Sequence, residues 1–253
     1  MMMMRNLPAF LLIGLAGCGL SDYQRQMDAQ RARIKEFDDT NNLLDDPIEM
    51  PTIESADKQE TPAWLLDFYL RLPRGCGAMP KDRTPYFAPL PFFRYAGPGP
   101  GYNYFVCAAV LLEPKAQAEY DKYPMKDFRS YVVQAINDFY FKTYKSRIEL
   151  KPPDQTPPLR KFVKPFWALT GGAGADEQIG YDEFAYETTG KDASHFRVYF
   201  HEQRGKQIGI VAQRPRQLPA DSTFEKGLEA CLATLDMSAE APSRRQQFKD
   251  RKR

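Results

Sequence analysis

HFRVYFHE at residues 195–202 and QIGIVAQ at residues 207–213, joined through Arg204 and Gly205, decide the fold. Phe196, Val198 and Phe200 line one face of the first segment, and Ile208, Ile210 and Ala212 line one face of the second. That period of two is the signature of a strand. Glycine accepts the positive φ that a two-residue connection demands, so the pair reads as a hairpin. Just beyond it, Ser222 and Glu225 form a capping box that opens a helix with Phe224, Leu228, Cys231, Leu232 and Leu235 on one side.

Upstream, Phe128, Tyr131, Val132, Ala135, Ile136, Phe139, Tyr140 and Thr143 recur at three- and four-residue steps and predict a second amphipathic helix. Strands are expected at Trp64 to Leu72, Phe92 to Tyr95, Tyr102 to Leu112 and Ile179 to Thr188. A further one at Lys161 to Leu169 is confined by Pro165 to an edge or a bulge. The nearly unbroken apolar run at 102–112 calls for cover on both faces. Two amphipathic helices separated by strands must each cover a sheet face, which makes this an α+β chain with a mainly antiparallel sheet. The tail after Met237, ending in Arg244, Arg245, Lys249, Arg251, Lys252 and Arg253, reads as a disordered basic end from 239 to 253.

The hairpin FRVYFHEQRGKQIGIVAQRP, a short loop, and a helix closing in Leu232, Ala233, Thr234 and Leu235 look like the C-terminal part of the PsbP-like fold. The resemblance implies a PsbP-like αβα sandwich over residues 63–238, used for binding or assembly and not for catalysis. The Pro-rich segment from Gly75 to Gly101 is longer than that pattern expects.

At the other end, the apolar stretch Leu7 to Gly17 is too short for a span of about 20 helical residues and reads as the core of a signal peptide. It closes in Leu15, Ala16, Gly17 and Cys18, which resembles the lipobox of bacterial lipoproteins. The resemblance implies removal of residues 1–17 and fatty-acyl chains, palmitate among them, on Cys18. Two chains or more give stable anchoring. The protein is then expected in the bacterial cell envelope, held on a membrane and facing the periplasm or the cell exterior. Residues 18–62 follow as an anchored helix and a polar linker. From Ser21 to Leu44 the chain is free of Gly and Pro, and Tyr23, Met27, Gln30, Ile34, Phe37, Asn41 and Leu44 form a seam at alternating steps of four and three. That stripe either pairs with a second copy over residues 23–44, making a homo-oligomer whose register Asn41 fixes, or lies on its own domain or on lipid.

Chemistry is sparse. The 35 Lys and Arg against 33 Asp and Glu leave +2, which excludes a globally basic nucleic-acid binder. No CxxC pair exists, and Cys76, Cys107 and Cys231 read as small core residues, with one disulfide as the alternative. His195 and His201 would stand about 20 Å apart on one strand, too far to share a metal. Glu183 and Glu187 would be about 13 Å apart, beyond the range of paired glycosidase carboxylates, and read as a solvated face. Gly171, Gly172 and Gly174 are followed by Asp176 and Glu177, whose charges repel phosphate, so no cofactor is implied. The remaining candidate is a partner-binding surface made by Arg83, Tyr86, Phe87, Phe92, Phe93, Arg94 and Tyr95, because aromatics and Arg dominate interface hot spots. The expectation is a membrane-anchored binding or assembly module for an envelope protein partner. An enzyme such as a hydrolase and a carrier of a small hydrophobic ligand are the alternatives.

Overall fold

The computed structural model describes residues 7–48, 66–76, 86–87, 91–97, 102–110, 118, 127–145, 148, 150, 159–165, 177–189, 193–217 and 222–251. Helix α1 (Leu7–Leu43) runs straight into strand β1 (Leu44–Pro47). Then come β2 (Arg71–Pro73), β3 (Tyr86–Phe87), β4 (Pro91–Ala96), β5 (Asn103–Val110), helix α2 (Phe128–Tyr144) and β6 (Leu159–Val163). The chain closes with β7 (Gln178–Glu187), β8 (Ser194–Gln203), β9 (Lys206–Pro215), α3 (Ser222–Ala233) and α4 (Ala241–Arg251). The main sheet has seven strands in the order β3-β4-β5-β9-β8-β7-β6, every pair antiparallel. The chain is therefore α+β, as expected. Among the described residues no helix is long and apolar enough to cross a membrane.

The hairpin sits at the centre of this sheet. Gln203 faces Lys206 across a two-residue turn, where Arg204 (φ 52°) and Gly205 (φ 75°) both take the left-handed conformation that matches the strand twist. Both of its faces are buried. Phe196, Val198, Phe200 and Val211 pack under α2, and Tyr199, Ile208, Ile210 and Ala212 pack under α3 with Phe224, Leu228, Cys231 and Leu232. Each such large side chain withdrawn from water contributes roughly 1.5–3 kcal/mol. Helix α2 is capped at both ends: Asp127 accepts from the Ser130 amide at 2.7 Å, and Lys145 (φ 55°) closes the last turn by donating to the Phe141 carbonyl at 3.1 Å. The strand restricted by Pro165 is β6, at the sheet edge; it starts two residues earlier than expected, at Leu159, and ends at Val163, and 166–169 lie outside the described residues.

Three expectations are corrected. The strand expected at Trp64 to Leu72 is cut back to β2, Arg71–Pro73, which lies outside the main sheet; Trp64 and Leu65 lie outside the described residues. Leu66, Phe68, Tyr69, Leu70 and Leu72 are all buried, while Asp67 is exposed. The backbone of this segment pairs instead with the chain after α3: the Tyr69 amide donates to Asp236 O at 2.8 Å, the Asp236 amide to Tyr69 O at 2.9 Å, and the Arg71 amide to Thr234 Oγ1 at 3.1 Å. The basic tail expected to be disordered from 239 to 253 contains α4. Ala241 is fully buried, Arg244 pairs with Asp236 at 2.9 Å, Arg245 donates to Phe68 O and to Asp67, and Phe248 lies 4.7 Å beneath the Arg71 guanidinium. Arg244 and Arg245 thus dock on the domain, while Lys249 and Asp250 stay exposed. Finally, the helix in 18–62 is not set apart by a linker directly after it. Leu44, Pro47 and Ile48 are buried, and β1 pairs with β2; the rest of the expected linker, from 49, lies outside the described residues.

Helix α2 packs tightly over Gly209, where an added Cβ would come within 3.0 Å of Val132 Cγ2 and 3.2 Å of Phe200 Cε1. Both neighbours are locked in the core. At Gly180 the atom 3.1 Å away belongs to exposed Leu159, which is able to swing aside. Gly209→Ala is expected to cost about 1–3 kcal/mol in urea unfolding, and Gly180→Ala roughly 0.5 kcal/mol or less. Equal midpoints for the two variants would contradict this packing.

Candidate functional site

A dense group of titratable side chains lies between α3 and the β6-β7-β8 edge. β6 supplies Arg160, β7 Glu183, β8 Arg197 and Tyr199, and α3 supplies Glu225 and Glu229, one turn apart. Arg160 Nη1 reaches the two Glu183 oxygens at 3.3 and 3.1 Å, and its Nη2 reaches Glu229 Oε1 at 2.5 Å. Tyr199, whose Cα partner across the ladder is Glu183, donates its hydroxyl to Glu183 Oε1 at 3.1 Å. Arg197 Nη1 donates to Glu225 Oε2 at 2.5 Å. Burial and the Glu183 charge push the Tyr199 phenol above its ordinary range, so it serves as a donor and not as a base. Each of the three carboxylates is held by a guanidinium, and the cluster works as a strut between helix and sheet. Glu183 is thus not on the solvated face that the sequence suggested: its side chain keeps only 19% of its accessible surface.

Beside the strut, the last turns of α1 lean on α3 and leave a groove of about 370 Å³ against the sheet edge. Leu43, Phe162, Val163, Pro165, Ala230 and Ala233 make its apolar floor, and Glu36, Thr40, Lys226 and Glu229 stand at its rim. Leu159 and Val163 of β6 keep 60% and 56% of their surface exposed. This is the size of a short peptide segment or a small apolar ligand. The groove exists because residues far apart in sequence meet. A local trace of it is the pair of small residues Ala230 and Ala233 on α3.

The predicted partner surface lies elsewhere. Tyr86 and Phe87 form β3, and Phe92, Phe93, Arg94 and Tyr95 lie in β4, so these residues occupy the edge opposite β6. The side chains of Tyr86, Phe87, Phe92, Phe93 and Tyr95 fall outside the described residues, as does Arg83 altogether. Arg94 is half-buried, donates Nε–H to Asn103 Oδ1 at 2.9 Å and lies 5.2 Å over the Phe139 ring. Asn103 passes the chain of bonds to Gln213 and Gln213 to Ser194, a buried polar line across four strands. Arg94 is thereby committed to the α2 face. Cys18 lies within α1 at a position whose side chain is outside the described residues.

Cys76 and Cys231 are free and buried, and burial raises both thiols far above the ordinary range. Glu187 and His195 approach to 3.2 Å at the far end of the β7-β8 ladder. His201 donates Nδ1–H to Gly180 O at 2.7 Å and is held below its ordinary pKa, chiefly by burial. Among the described residues no group of three or more His, Cys, Asp or Glu is placed to hold a metal.

No family model matches the chain, and no curated protein matches it. A solved structure from Bacteroides thetaiotaomicron is similar to 69% of the chain at 11% identity, with a TM-score of 0.34. The chain spans less than half of that protein, 46% of its length.

A folded-state pKa below the unfolded value of about 6.5 for His201 means that the unfolded chain binds the extra proton more tightly. Stability from this group is complete above pH 6.5 and is lost as pH falls below it. His201→Gln should flatten the change in urea midpoint between pH 7 and pH 5, and NMR should show His201 titrating below 6.5. A slope unchanged in His201→Gln, or a His201 titration above 6.5, would contradict the assignment.

Proposed function

We propose that the protein is a lipid-anchored envelope module that binds a protein partner or helps assemble a complex, with acyl chains on Cys18 and a PsbP-like use of the sheet and its two covering helices. Residues 1–17 are then the removed signal and Cys18 the first residue of the mature chain. The observation that carries this reading is the direct passage of α1 into β1. From Ser21 to Glu36 the helix is exposed on almost every side, while Leu44, Pro47 and Ile48 are buried in the domain. At about 1.5 Å per residue, the stretch from Ser21 to Glu36 projects as a stalk of about 24 Å before the last turns of α1 join the domain. A stiff arm of that kind holds a domain at a set height above a bilayer, which is of use to an adaptor.

The groove at α1, β6 and α3 is the docking surface in this reading. Its apolar floor with charges at the rim is the composition of a binding patch, and the neighbouring strut fixes α3 so that the floor is rigid. The carrier alternative draws on the same groove: its volume falls at the low end of small-ligand sites.

Labelling with a radioactive fatty acid in a bacterial host, followed by membrane fractionation, tests the anchor. Wild type should be labelled and sediment with membranes. Cys18→Ala should lose the label and retain the uncut leader. Unlabelled wild-type protein, or mature protein whose thiol at position 18 is unmodified by mass spectrometry, would overturn the proposal.

A further inference from the structure

Tyr23 and Ile34 on the free part of α1 keep 61% and 60% of their surface exposed, and no element of the domain covers them. With Met27 and Gln30 they continue the step of four and three for about 17 Å at 1.5 Å per residue. Below them the structure closes the stripe: Leu44 is buried and Asn41 accepts from Arg71 Nη1 at 2.5 Å, so Asn41 serves the domain junction and is not an interhelical register residue. The open a and d positions therefore run from Tyr23 to Ile34, and Asp38, flanking them one turn below, is exposed as well. Two heptads are marginal as an isolated helix, but this helix is already nucleated and held at its C-terminal end by the domain.

We propose that the seam is covered by the α1 of a second copy, aligned in parallel. With Met27 and Ile34 at the a positions and Tyr23 and Gln30 at the d positions, Arg33 takes the flanking g position and Asp38 the e position of the following turns. A parallel pair sets Arg33 of each copy against Asp38 of the other, twice by symmetry. An antiparallel pair sets g against g and forfeits both contacts. The helix's own ion pairs, Asp22 with Arg25 and Asp28 with Arg31 at 3.7 Å, do not involve Arg33 or Asp38. The pairing does not depend on the lipid anchor, so it is tested separately from it.

The full chain, in membranes of the expressing cell and again after detergent extraction, carries Tyr23→Cys, Ile34→Cys or the off-seam Ala32→Cys and is oxidised with copper phenanthroline, with wild type as the background. Disulfide-linked dimers should form at 23 and 34 and not at 32. Arg33→Asp should weaken the dimer about fivefold in sedimentation, and Arg33→Asp combined with Asp38→Arg should restore it. Crosslinking that is equal at 32 and 34, none at 34, or a monomer at every concentration would overturn the proposal and leave the stripe to a lipid surface.

Discussion

A buried guanidinium is expensive unless each of its donors has a partner. Arg71 keeps 3% of its surface, and its partners come from both ends of the chain. Nε–H donates to Asp45 O at 2.8 Å, Nη1 to Asn41 Oδ1 at 2.5 Å and Nη2 to Leu44 O at 3.3 Å, while the Phe248 ring of α4 closes the other side. The carbonyls it collects belong to Leu44 and Asp45, the first residues of β1 directly after α1, where the negative end of the helix dipole favours a cation. One side chain therefore ties the last turn of α1 and the start of β1 to α4. Burial lowers its pKa, with Tyr69, Asp46 and Asp45 acting in the opposite sense.

Everything proposed about function follows from that junction. If α1 hung on a flexible connection it would set no height above a membrane, present no fixed seam, and leave no groove against α3. Because β1 and β2 pair directly beneath it, with the Arg74 amide donating to Leu43 O and the Gly75 amide to Asp45 Oδ2, both at 2.8 Å, the last turns of α1 are part of the folded body. The Arg160, Glu183 and Glu229 strut then holds α3 to the sheet edge from the other side.

The central architecture was legible where local pattern and tertiary demand agree. The 195–213 hairpin combines a period of two with a turn that needs Gly205, and the stripe from Phe128 to Tyr140 combines a period of 3.6 with real caps, so both read correctly. The junction was not legible, because its logic is non-local. Arg71 looks like a surface charge in sequence, and nothing near it shows that Asn41, Leu44 and Phe248 converge on it from 27 to 177 positions away. The C-terminal helix was hidden for the same reason: Arg244, Arg245 and Phe248 read as a charged tail until Asp236, Phe68 and Arg71 give them partners. The groove was missed because it is made of small and ordinary apolar residues, whose meaning comes from what they leave empty. Arg94, singled out as an interface residue, bonds Asn103 and covers Phe139 in the structure, and an Arg beside aromatics serves an internal polar line as readily as an interface.

Hydrogen exchange at the amides of residues 37–48, compared between wild type and Arg71→Met, tests the junction most directly. Met keeps the volume and removes the donors, so protection over the end of α1 and over β1 should fall by orders of magnitude while β8 and β9 stay protected. Undiminished protection at 37–48 in the variant, with the core equally intact, would contradict the claim that this guanidinium holds the arm to the domain.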